Sequence, residues 1–93
     1  MKESYHRLIE ILIKRELGIL GKEKVEKILN DLGITFDFQA QKLINFKGEG
    51  QEVLQRLGEK IYESGGEIAL IGARVSMILN AVKERVQLPP IFS

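Results

Sequence analysis

His6 is the chain's single histidine, and Glu10 follows it at four residues. On a helix that spacing sets an imidazole and a carboxylate one turn apart, as an acid–base pair or the start of a metal site requires. No second histidine and no cysteine exists to complete a transition-metal set, so the residues point to a solvated surface histidine and to no metal or cofactor. Gly48-Glu49-Gly50 offers bare backbone N–H groups ahead of a helix, as an anion-cradling loop does. Glu49 and Glu52 would repel an anion there, and the Lys and Ser/Thr of a phosphate loop are missing, so the segment reads as a turn with acidic residues favouring a helix start.

Arg74 is the lone charge in an otherwise apolar or small-residue run and would be costly to bury unpaired. Snorkelling to solvent or pairing with Asp37 or Glu67 relieves that cost; the functional alternative places Arg74 at the rim of an interface or against an anionic ligand. Ser4, Ser64, Ser76 and Ser93 have no base near them in sequence, and no residue set suits acyl transfer, hydride transfer or metal-assisted hydrolysis. A non-catalytic protein is expected.

The elements that would hold these residues follow from periodicity. Residues 4–17 carry Tyr5, Leu8, Ile9, Leu12, Ile13 and Leu17 on one helical face, with Glu3/Arg7 and Glu10/Lys14 in the favourable i,i+4 order on the other, and Ile11 off both. Gly18-Ile19-Leu20-Gly21 interrupts, and 22–32 resumes helical spacing through Val25, Ile28, Leu29 and Leu32, with Gly33 placed for a left-handed cap. From Ile34 the period becomes two: Ile34, Phe36 and Phe38, then Ile44 and Phe46, predict a β-hairpin with one apolar face, turning near 39–42. Helical spacing returns at 51–63, Ser64-Gly65-Gly66 stops it, and a last helix spans 68–86, where a strand at 67–71 is the competing reading.

That last segment has two stripes. Ile68, Ile71, Val75, Ile78, Leu79, Val82 and Val86 form a large apolar one, expected to fill the core as the hub of the molecule. Ala69, Gly72, Ala73, Ser76 and Asn80 form a small one, expected to let a partner's backbone come close. Pro89-Pro90 ends regular structure and leaves Leu88, Ile91 and Phe92 as an apolar tail that either folds back or docks on a partner. The expected fold is α+β: a single domain over 1–88 with four helices around one β-hairpin (αα-ββ-αα), and a tail over 89–93.

Fourteen Lys+Arg against thirteen Asp+Glu give a net charge of +1, without the basic excess of a phosphate-backbone binder. Glu10 breaks the first apolar stretch and Arg74 the longest, so neither a signal peptide nor a membrane span is expected and a cytoplasmic location is. Abundant Glu and Lys suggest heat adaptation, which five Gln and three Asn oppose.

The helix–turn–helix–hairpin succession resembles the element order of a winged-helix DNA-binding domain over about half the chain. That resemblance implies a nucleic-acid-binding regulator with its reading helix at 22–32, where Lys22, Lys24, Lys27 and Asn30 share the polar surface with Glu23, Glu26 and Asp31. A small-ligand sensor, with an apolar pocket between last helix and sheet, is a third reading. The favoured one is a protein-interaction or regulatory module acting as a homodimer. An exposed hairpin edge could pair into a larger sheet, and a surplus of apolar residues calls for a second copy. The expected interface comprises Ala69, Gly72, Ala73, Arg74, Ser76, Asn80, Leu88, Ile91 and Phe92.

Overall fold

The computed structural model describes residues 2–93. Helix α1 (Lys2–Leu20) and helix α2 (Lys22–Leu32) form the expected αα-hairpin, but α1 continues through Gly18 to Leu20 and turns only at Gly21, whose φ of 88° suits glycine. Gly33, at φ 70°, caps α2 in the left-handed conformation and donates its N–H to the carbonyls of Leu29 and Asn30.

Strands β1 (Ile34–Asp37) and β2 (Lys42–Phe46) pair antiparallel. The turn uses a side chain where the sequence has no glycine: Asp37 Oδ1 accepts the N–H groups of Gln39 and Ala40 at 2.9 and 3.0 Å, while Gln41 takes a φ of 54°. The register corrects one expectation. Thr35 pairs with Asn45 and Phe36 with Leu43, so Ile44 is bulged out and the alternation changes phase. Leu43 therefore joins Ile34, Phe36 and Phe46 in the core and Ile44 is exposed.

Helix α3 (Gly50–Glu84) overturns the four-helix count: three helices surround the hairpin, because residues on both sides of Ser64-Gly65-Gly66 belong to one helical element. Helical geometry does break within these glycines, at Gly66 (φ 73°, ψ −165°), but it resumes at the next residue, so the two segments make one sharply bent element. A straight helix of this length would reach about 52 Å. The longest dimension of the molecule is 31 Å. The halves accordingly fold back on each other, and Tyr5 meets both ends: its ring lies against Gly50, and its Oη donates to the Gln87 carbonyl at 2.9 Å. No strand forms at 67–71; the segment is helical.

The core is built from Leu8, Ile9, Leu12 and Ile13 of α1, Val25, Ile28 and Leu29 of α2, the hairpin's inner face, and Val53, Leu54, Leu57 and Ile61 of α3. The tail belongs to it. Residues Pro90–Phe92 make a single 3₁₀ turn, with Phe92 fully buried. Gly58 makes room: a Cβ there would stand 2.7 Å from Ile91 Cγ2 and 2.9 Å from Phe92 Cζ. The segment set apart as a tail over 89–93 is thus packed into the same domain as the rest.

Candidate functional site

The second half of α3 is oriented opposite to expectation. Its small residues Ala69, Ala73 and Ala81 are buried with Leu70 and Met77, facing this chain's own core. Short side chains let α3 lie close beside α1, whose wide apolar stripe supplies the volume. The contact is tied along its length. Arg7 Nη1 meets Glu84 Oε1 at 3.0 Å, and the Arg15 guanidinium lies over Gly72. Near the bend, a Cβ on Gly65 would stand 3.0 Å from Leu20 Cδ2.

The large stripe therefore faces outward. Ile68, Ile71, Val75, Ile78, Leu79 and Val82 are between 46% and 88% exposed. The reading of Ile68, Ile71, Val75, Ile78, Leu79 and Val82 as core filling is corrected; Val86 alone of that stripe is packed against the core. Periodicity fixes that two stripes exist, but it does not say which one the rest of the chain can cover. Ile68, Ile71, Val75, Ile78 and Val82 repeat every 3.5 residues, the narrow seam of helix-on-helix packing, but Ala69, Ala73, Ser76 and Asn80 of the small stripe share that spacing, so it does not mark the outward face.

The residues expected to touch a partner are mostly engaged within the chain. Ala69, Ala73 and Phe92 are buried, and Leu88 and Ile91 pack against the core. Arg74 pairs with neither Asp37 nor Glu67: its Nε donates to the Ile91 carbonyl at 2.7 Å and holds the tail. Ser76 is half-buried and its carbonyl accepts Asn80 Nδ2 at 2.8 Å. Gly72 sits beneath Arg15.

The chemistry candidates are likewise structural. Glu10, the imagined partner of His6, accepts the N–H of Leu43 at 2.7 Å and so occupies part of the edge of β2 that was expected to pair with a second hairpin. The His6 ring lies 6.4 Å from that of Phe46. The loop at Gly48 borders a cleft of about 260 Å³ lined by Leu32, Lys47, Glu49, Glu52, Val53 and Arg56, where Arg56 is paired with Glu52 at 2.7 Å. Among the described residues no group of three or more His, Cys, Asp or Glu is arranged to hold a metal ion.

On α2, Lys22, Lys24, Lys27 and Asn30 are exposed together with Glu23, Glu26 and Asp31. Lys22 is held over the Phe38 ring at 5.4 Å, and Asp31 lies 3.9 Å from Lys60. By length and composition alone, α3 holds one 18-residue stretch apolar enough to cross a membrane, 28% of it buried.

One residue escaped the sequence reading. Glu16 is buried within α1's apolar arc, four residues beyond Leu12, and neither carboxyl oxygen has a hydrogen-bond partner. Burial raises its pKa above the ordinary carboxylate value, and the Arg15 charge, 3.6 Å away, works against that shift.

Comparison of the chain with protein-family models, curated proteins and solved structures finds no match.

Proposed function

We propose that this chain is a small, non-catalytic protein-interaction or regulatory module that acts as a homodimer, through the outer face of α3 and not through its small-residue stripe. One observation carries this reading: six large aliphatic side chains stand in solvent along one face of a helix whose opposite face is packed into the core. At about 100 Å² each they make an apolar patch of roughly 600 Å², at the upper end for a lone soluble domain and typical of surfaces that bind. The helix cannot turn to hide them. Arg7–Glu84, Tyr5–Gln87 and Arg74–Ile91 fix its rotation, and the buried alanines would be exposed instead.

The test is static light scattering at micromolar concentration on the native chain and on Val75→Glu. The native chain is expected at twice the mass of one copy and Val75→Glu at the mass of one, with unchanged helical circular dichroism because Val75 is outside the core. A native chain that is monomeric throughout would overturn the proposal.

A further inference from the structure

We infer that the partner on this face is a second copy of the chain lying antiparallel, with the two-fold axis passing beside Val75; this rests on the homodimer reading above. Five of the strip's six aliphatic side chains are placed symmetrically about that residue, the exception being Ile78, whose counterpart position is Gly72. Ile71 and Leu79 stand four residues to either side of Val75, and Ile68 and Val82 seven. A two-fold interface requires a patch to be complementary to itself. With Val75 opposite its own counterpart, Ile71 meets the partner's Leu79 and Ile68 meets the partner's Val82, an aliphatic pair at four levels beside the central one.

Charge selects the direction. Exposed Glu67 stands at one end of the strip, and exposed Lys83 and Arg85 at the other; none of the three has an ionic partner among the described residues. Antiparallel copies bring the acidic end of each onto the basic end of the other, twice by symmetry. Parallel copies would set Glu67 against Glu67, and Lys83 and Arg85 against themselves. The area agrees: two patches of roughly 600 Å² bury about 1,200 Å² in total, the lower limit for a specific interface.

The chain has no cysteine, so introduced thiols report pairing without background. Under mild oxidation Val75→Cys is expected to link to itself. Ile68→Cys and Val82→Cys are each expected to remain unlinked alone and to link when mixed. Separately, Glu67→Lys is expected to weaken dimerisation about tenfold through the loss of two symmetric pairs, as is the Lys83→Glu/Arg85→Glu variant. The triple exchange is expected to restore it to within about twofold of the native chain. Self-linking by Ile68→Cys would overturn the antiparallel arrangement and leave the homodimer standing. A native chain that scatters as a monomer, including one that instead sediments with phosphatidylcholine–phosphatidylglycerol vesicles, would overturn both.

Discussion

Arg74 Nε and the Ile91 carbonyl are joined by a 2.7 Å hydrogen bond, and Gln55 Oε1 accepts the Ile91 N–H at 2.9 Å, so both backbone polar groups of one tail residue are satisfied by the two halves of α3. The tail is thereby a brace across the bend at Gly66. Its buried anchor is Phe92.

Truncating that anchor should be costly. Phe92→Ala leaves a cavity between the helix halves and is expected to destabilise the fold by about 3–5 kcal/mol, with Arg74→Met costing about 1–2 kcal/mol through the lost charged hydrogen bond. Urea denaturation measures both. A loss below about 1 kcal/mol for Phe92→Ala would show that the tail is dispensable to the domain.

Two helical glycines should answer the same substitution with opposite signs. A Cβ at Gly18 meets nothing within 4 Å, so Gly18→Ala is expected to stabilise by about 0.5–1 kcal/mol through helix propensity. At Gly58 that gain is outweighed: the new methyl would press on Ile91 and Phe92 from either side of 3 Å or less, and a net loss of about 1–3 kcal/mol is expected. Thermal unfolding of the two variants side by side decides the matter, and equal signs would refute the packing argument.

These residues also show what was legible before the fold was known. The αα-hairpin, the cap at Gly33 and the presence of the β-hairpin follow from local rules, because each depends on neighbours within a few positions. Ile44 was misplaced because a bulge changes the phase of alternation without leaving a mark in the sequence. The helix count is three because the helical segments before and after Gly66 follow each other with no loop between them and so make one bent element. The two faces of residues 68–86 were exchanged for a different reason. Which stripe faces inward is settled by the volume that α1 already supplies, a property of the assembled chain that no window of local sequence contains.

Glu10 performs a task that its spacing to His6 and Lys14 conceals. Its Oε2 accepts the Leu43 N–H at 2.7 Å beside the bulge, where the ladder is interrupted. Glu10→Ala is expected to cost about 1–3 kcal/mol and, more diagnostically, to speed hydrogen exchange at Leu43 far more than at Val25. Uniform acceleration across the domain would show global destabilisation only.

Glu16 gives the chain a pH dependence of definite sign. Both carboxyl oxygens are buried without a hydrogen-bond donor, so ionisation in the folded state is opposed by desolvation; Arg15, the neighbouring charge at 3.6 Å, relieves this only in part because its own side chain is 36% exposed. The folded pKa is raised, hence the protonated acid is the form the fold prefers. The stabilising contribution is fully present below the unfolded carboxylate value of about 4.3 and is lost as pH rises through the raised folded value. Glu16→Gln keeps the shape and removes the titration, so it should match the native chain near pH 4 and exceed it by about 1–3 kcal/mol at pH 7. Urea midpoints measured from pH 4 to 8 test this: the two curves must diverge as pH rises. Parallel curves, or a Glu16→Gln chain less stable at neutral pH, would mean that the buried carboxylate finds a partner after all and that its surroundings tolerate the charge.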